Sequence, residues 1–127
     1  MDDFFFTEYE DAVPREEVRL KNVEARHDPG TKIIRLFLEL TPFIDKPSLD
    51  IRLRTGEIEL ASTSLVELIS PKNELAMHIR AAELPEECEL NITVYYMDIA
   101  LPEEGKEIEK PVRQIVDNKS QVIELSN

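Results

Sequence analysis

Apolar side chains recur at every second position along much of this chain, and this alternation constrains the fold more than any other feature of the sequence. In residues 32–40, one face of an extended segment consists of Ile34, Leu36, Leu38 and Leu40. The same period returns in later segments, which end at Pro, Gly, Asn or Asp. A period of two is that of a β-strand with one buried face, whereas a helix repeats every 3.6 residues. The sequence therefore predicts several short strands.

Turn residues indicate how these strands are connected. Thr-Gly at residues 55–56 predicts a hairpin, and Ser-Pro-Lys-Asn at residues 70–73 predicts a second one. Residues 107–125 are expected to form one or two closing strands, with a turn at residues 117–120. Many short strands with turns every 8–12 residues or so, and no alternation with helices, are typical of a sandwich or barrel.

Two segments fit either a strand or a helix. Residues 57–69 carry apolar side chains that also match a 3.6-residue spacing, and residues 14–27 begin with Pro and two acids, as a capped helix does. β-branched Thr63 and Val66 favour a strand with a bulge in the first segment. In the second, the alternation fits a strand interrupted at Asn22. We expect strands in both.

The first 17 residues differ in composition from the rest of the chain. They contain seven acids against Arg15, which gives −6 of the net charge of −12. They also hold half of the eight aromatic residues, namely Phe4, Phe5, Phe6 and Tyr9. Three consecutive Phe of an extended segment cannot all face one core. We therefore divide the chain into an acidic aromatic arm, residues 1–17, and a β-sandwich domain, residues 18–127. The four aromatic residues are candidate anchors for a partner protein, or they pack on this domain or on a second copy.

Charge and composition restrict the partners. An acidic chain without a cluster of Lys or Arg repels phosphate, so neither nucleic acid nor an anionic membrane surface is an expected partner. No apolar run approaches the roughly 18 residues that cross a bilayer, and the first 30 residues do not resemble a secretory signal. Cys88 is the only cysteine, which excludes an internal disulfide. We expect a cytoplasmic protein that binds a protein partner or itself.

The sequence contains no recognisable catalytic set. The three glycines stand in turn contexts and form no phosphate-binding loop. A nucleophilic Cys88 would need a nearby His, and its neighbours Glu86, Glu87 and Glu89 are expected to raise the thiol pKa. We interpret His78 as an outward-facing strand residue and His27 as a turn residue. No catalytic residue and no cofactor are predicted.

Ligand binding at the loops is the alternative function. Hard oxygen ligands suit Ca²⁺, and the acids that could gather at one end of a sandwich are Asp45, Asp50, Asp98, Glu103 and Glu104. The chain lacks the Asp-x-Asp-x-Asp-Gly spacing of a calcium loop, so no metal site is predicted from a motif. Tyr95 is expected to face away from the core, as a platform for a ligand or as a cross-strand packing residue.

Residues 84–94, LPEECELNITV, resemble the E–F corner and F strand of fibronectin type III domains. Leu84, Ile92 and Val94 match the apolar positions of that family, and Leu90 stands where the family has a corner tyrosine. The resemblance implies an all-β, immunoglobulin-like antiparallel β-sandwich of about seven to nine strands. Such domains mostly act as spacers or protein-binding modules, although fold does not fix function. We therefore expect a non-catalytic interaction or structural module with an acidic, Phe-rich N-terminal arm.

Overall fold

The computed structural model describes residues 11–98 and 112–125, and it is an all-β structure, as expected. A short 3-10 helix, Arg15–Glu17, precedes seven strands: β1 (Leu20–His27), β2 (Ile33–Leu40), β3 (Ser48–Thr55), β4 (Ile58–Leu65), β5 (Lys72–His78), β6 (Glu87–Asp98) and β7 (Val112–Glu124). In the described part of the chain, no helix has the length and apolar character needed to span a bilayer.

The strands form two antiparallel sheets that share one core. The order is β1-β2-β5 in the three-stranded sheet and β4-β3-β6-β7 in the four-stranded sheet. Every second side chain of β2 is buried, and Leu49, Ile51 and Leu53 of β3 lie opposite the buried residues of β6. These side chains belong to one apolar cluster with those of the other sheet. Burial of each contributes about 1.5–3 kcal/mol relative to an exposed position.

Each ambiguous segment contains a strand with the predicted irregularity, but residues 15–17 form the 3-10 helix and residues 66–69 lie beyond the end of β4. In β1 the register with β2 shifts between Leu20 and Asn22. In β4 the register with β3 shifts between the partners Ala61 and Glu59, so Leu60 is the extra residue. Leu60 is 3% exposed. The bulge therefore turns an apolar side chain into the core.

Two predicted turns are wrong. Residues 70–73 do not close a hairpin, because β5 pairs with β2 in the sheet opposite to that of β4. Residues 117–120 form no turn and continue β7, in which Asn118, Lys119 and Ser120 pair with β6. Asn118 and Ser120 lie on the exposed face of the sheet, where Asn91 of β6 donates to the hydroxyl oxygen of Ser120 at 2.7 Å.

Asp117 occupies the space between the outer strands β1 and β7. Its Oδ2 accepts a hydrogen bond from the backbone N–H of Leu20 at 2.8 Å, and its Oδ1 accepts one from the backbone N–H of Asn118 at 2.9 Å. A carboxylate placed inward at a sheet edge satisfies free donors and prevents another strand from pairing there. On the opposite side, β4 and β5 border an open groove of about 430 Å³ lined by Leu60, Ala61 and other residues.

The connections between strands fall at two ends of the sandwich. Residues 41–47 and 66–71, which join β2 to β3 and β4 to β5, lie at the end where β1 begins. The N-terminal segment reaches the sandwich here, and we call this the entry end. The hairpin between β3 and β4 lies at the opposite end, where Gly56 has φ +59° and provides the predicted turn.

Glu67, in the connection between β4 and β5, has a backbone conformation that favours glycine. Its φ of +50° is the one positive value at a non-glycine position among the described residues. We expect Glu67→Gly to raise the free energy of unfolding by about 0.5–1 kcal/mol, because relief of the left-handed strain exceeds the entropy cost of glycine. Urea denaturation measures the change. Glu67→Ala, which keeps the Cβ, is the control, and equal stability of the two variants would contradict the prediction.

Candidate functional site

Arg15 joins the N-terminal segment to three parts of the sandwich. Its guanidinium group lies 4.6 Å from the centre of the Tyr96 ring and donates to Asp98 at 2.8 Å. It also donates to Asp45 and to Gln114, both at 3.4 Å. The Arg15 side chain therefore contacts residues 41–47, β6 and β7 at the same time. We call this group of five residues the Arg15 clamp.

Tyr96 is the buried member of the Arg15 clamp. It is 4% exposed, and its hydroxyl donates to the backbone carbonyl of Asp45 at 2.8 Å. Burial raises the pKa of Tyr96 to about 12, and the charges of Asp45 and Glu16 act in the same direction while that of Arg15 opposes them. The phenol therefore stays neutral at physiological pH and fixes residues 41–47 to β6.

The backbone of Val13 also binds the entry end. Its N–H donates to the carbonyl of Pro42 at 3.0 Å, and its carbonyl accepts from the N–H of Ile44 at 3.1 Å. Val13 thus forms a parallel bridge with Phe43, which is 4% exposed. As a result, the chain upstream of Val13 begins directly beside Ile44.

Large apolar side chains are exposed around this point. Two loops lie side by side, because Leu68 donates to the carbonyl of Pro47 and Leu40 donates to that of Pro71, both at 2.8 Å. Between them they expose Ile44 (65%), Val66 (71%) and Ile69 (77%), which we call the apolar loop patch. With Met97 and Val112, five of the eight large exposed apolar residues in the described part of the chain belong to the entry end.

The predicted anchors Phe4, Phe5, Phe6 and Tyr9 lie outside the described residues, as do the calcium candidates Glu103 and Glu104. What the structure shows of the arm is its last part, residues 11–17, where Val13 and Arg15 contact the sandwich. The predicted division at residue 17 therefore falls after these contacts.

The remaining calcium candidates are engaged in ion pairs. Asp45 and Asp98 converge, but on the guanidinium of Arg15. Asp50 pairs with Arg113 on the outer face of the four-stranded sheet and accepts from the Ser64 hydroxyl at 2.7 Å. Within residues 11–98 and 112–125, no three His, Cys, Asp or Glu side chains are grouped as metal ligands would be.

The pKa of Asp50 reflects this pairing. Partial burial acts to raise it, but the hydrogen bonds from Ser64 and Arg113, the charge of Arg113 and a hydrogen bond from Tyr95 outweigh burial. The pKa of Asp50 therefore lies below its usual value. The carboxylate is charged at neutral pH and is already neutralised by Arg113.

Tyr95 lies on the outer face of the four-stranded sheet, but its ring is covered. The guanidinium of Arg113 stands 4.0 Å from the ring centre, and Tyr95 is 5% exposed. The ring thus offers no open face to a ligand in this conformation, and its contacts are those of a cross-strand packing residue.

The surroundings of Cys88 and of the two histidines do not form a catalytic group in the described part of the chain. Cys88 is 2% exposed, and burial raises the pKa of its thiol, which disfavours the nucleophilic thiolate. The direction agrees with the sequence analysis, but the cause is burial and not the neighbouring carboxylates. His78 is exposed on β5, whereas His27 is 7% exposed at the end of β1, with Nε2 2.6 Å from the carbonyl oxygen of Thr31.

Neither the Arg15 clamp nor the apolar loop patch was predicted from the sequence. One signal was present for the clamp, because Arg15 is the single base among the first 17 residues. A weaker signal marked the patch: Ile44 and Ile69 stand close to prolines, in positions that interrupt the strand alternation. Neither signal indicates a site until the structure shows that the two loops are adjacent.

Comparison of the sequence with models of known protein families gives no match, and comparison with curated proteins gives no match either. The assignment of a function therefore depends on the surfaces described above.

Removal of the Arg15 side-chain charge tests the clamp. We expect Arg15→Met to lower the urea midpoint of unfolding, since half-exposed ion pairs and a cation–π contact are lost together. Urea denaturation measures the change. Arg54→Met is the matched control, because Arg54 is exposed and forms no ion pair within the described residues. Equal effects of the two substitutions would contradict the role of the clamp.

Alkaline titration tests the burial of Tyr96. We expect one phenol to ionise near pH 12 in the folded protein and to be missing in Tyr96→Phe, as followed by the ultraviolet absorbance of tyrosinate. Because the folded pKa is higher than the unfolded pKa of about 10, the contribution of Tyr96 to stability is complete below pH 10. It is lost as the pH rises towards 12. Titration of all tyrosines near pH 10 would contradict this placement.

Proposed function

We propose that this protein is a non-catalytic protein-interaction module, working as an adaptor, a spacer or an assembly subunit, and that its contact surface is the entry end. The apolar loop patch carries the proposal. Single exposed apolar residues are ordinary, but a grouping of several on adjacent loops is typical of a surface that a partner covers. Its members are 65–77% exposed.

The surroundings of the patch support a contact surface that is partly fixed in advance. The Arg15 clamp and the Val13 hydrogen bonds attach one of the two loops to the ends of the strands. Leu68, 6% exposed, anchors the other loop in the core. A surface held in this way loses less conformational entropy on binding than free loops would.

Charge supports a protein as the partner. The net charge of −12 disfavours nucleic acid and anionic membranes, as argued from the sequence, and favours a partner with basic groups around an apolar contact. A cytoplasmic location is part of the proposal. Its support is that Cys88, the single cysteine, is an unpaired buried thiol.

We further propose that the fold belongs to the immunoglobulin-like class. Strands β1, β2 and β5 correspond to the A, B and E grouping of that class, and β3, β6 and β7 to the C, F and G grouping. β4 pairs with β3 instead of β5, which places it as a C′ strand. An experimental structure in which β4 joined the sheet of β5 would contradict this correspondence.

Charge substitutions at matched positions test the contact surface. We expect Ile44→Glu and Ile69→Glu to weaken recovery of the partner at least tenfold in affinity purification from the native host, because a buried unpaired carboxylate opposes the contact. Ile58→Glu is the control: Ile58 has the same 65% exposure as Ile44 but lies at the opposite end.

Recovery of the partner with the three variants shows whether the entry end is the contact surface. A partner that is lost with the two entry-end variants and kept with Ile58→Glu supports the proposal. A partner retained by all three variants, lost equally with the control, or never recovered with the unmodified protein contradicts it. Thermal unfolding of each variant shows that the fold is intact.

A further inference from the structure

β4 has a free edge along which no other strand of the described chain is paired. Its one strand partner is β3, and on the opposite side the N–H of Arg80 donates to the carbonyl of Leu60 at 2.9 Å. We infer that residues 61–65 pair with the same residues of a second copy, antiparallel and about a two-fold axis at Thr63. The contact joins two four-stranded sheets into one sheet of eight strands. It goes beyond the proposed entry-end contact and does not depend on it.

The hydrogen-bond pattern of the sheet identifies the backbone groups at this edge. In an antiparallel pair, successive residues direct their N–H and C=O groups to opposite sides. The bond from Leu125 to the carbonyl of Glu86 directs every second residue from Glu86 onwards towards β7, and the residues between them towards β3. Carried across β3, the same alternation directs Thr63 and the residues two positions before and after it towards β3. Ser62 and Ser64 therefore direct their N–H and C=O groups to the free edge.

These two residues are self-complementary under a two-fold axis. With the axis at Thr63, Ser62 of each copy opposes Ser64 of the other, and each such pair exchanges two backbone hydrogen bonds. All outward donors and acceptors of both residues are then satisfied. A register shifted by two residues pairs Ser64 with Leu60, whose carbonyl already accepts from Arg80, or pairs Ser62 with Val66, which lies beyond the end of β4.

The side chains leave this edge open to pairing. Edge strands usually carry charges or proline that oppose the addition of another strand. Residues 60–66 contain neither, whereas the other outer strands, β1, β5 and β7, each carry at least two charged side chains. Ser62 and Ser64 are small and exposed. No like charges would therefore meet at the two-fold axis.

The second sheet leaves room for the approach of another copy. It has one strand fewer, and its outer strand β1 lies beside β7, where Asp117 accepts from Leu20. β5 is therefore set back from β4 along residues 61–65. The open groove of about 430 Å³ lies in this space, bordered by Ala61 and Thr63 on one side and by Met77 on the other.

The strength of the contact is limited by its size and by charge. Five residues from each copy bury less area than a standard interface, and each molecule carries a net charge of −12. Salt screens the repulsion between the copies. We expect a reversible dimer that forms at high micromolar to millimolar protein concentration and becomes more stable when salt is added, unlike a contact held by ion pairs.

Amide exchange of the full chain, measured at increasing protein concentration, tests the edge directly. We expect the N–H groups of Ser62 and Ser64 to exchange several-fold more slowly as the dimer forms in sedimentation, because each gains an acceptor. The amides of Ala76 and His78 are the control, since the same alternation directs them to the free edge of β5. Their exchange should not change with concentration.

Three results would overturn the inference. A protein that stays monomeric up to millimolar concentration has no such contact. Dimerisation without slower exchange at Ser62 and Ser64 would place the contact on another surface, as would loss of the dimer in Ile44→Glu at the entry end. Amides of Ser62 and Ser64 that are protected equally at every concentration would show that the edge is occupied within one molecule.

Charge substitutions test the register. In the double variant Ser62→Lys with Ser64→Lys, two bases oppose each other in both pairs, and we expect the dissociation constant to rise about tenfold. In Ser62→Lys with Ser64→Glu, a base opposes an acid, so the dimer should be kept. Ser120→Lys on exposed β7 is the control, and thermal unfolding shows that each fold is intact. Equal dimerisation of the two double variants would contradict the register and overturn the inference.

Discussion

Burial of alternate apolar side chains between two sheets is the constraint on which the rest of this structure depends. β2 and β3 each contribute a row of such residues, one from each sheet, and neither row is shielded from water without the other. The strands must therefore stack face to face, which fixes where their connections lie. The entry end, with its Arg15 clamp and its apolar loop patch, follows from that stacking, because the loops between β2 and β3 and between β4 and β5 are brought to the same place.

The sequence predicted the features that depend on local periodicity. The strand character of β2, β3 and β6, the turn at Gly56 and the bulges in β1 and β4 all follow from neighbouring residues. It did not predict which sheet β5 joins, because the alternation of apolar and polar residues in a strand does not specify the neighbouring strand. The turn predicted at residues 117–120 was wrong because Asn and Ser side chains form hydrogen bonds across the exposed face of a sheet as well as within a turn.

The candidate site was less predictable than the fold, because it depends on contacts between distant parts of the chain. Arg15 and Asp98 are 83 residues apart, and nothing local connects them. Asp45 and Asp98 were chosen as possible calcium ligands because they are acids near strand ends. They do meet, but a positive side chain from the N-terminal segment already lies between them. The arm was identified from its composition. Its attachment depends on backbone hydrogen bonds of Val13, which the identity of the side chain does not indicate.

Asp117 has a consequence for how copies of this protein can associate. Its carboxylate accepts from Leu20 in the space between β1 and β7, so it occupies a backbone donor that an added strand would need at the start of β1. A strand that paired at this position would also bury the charge away from water, which costs free energy.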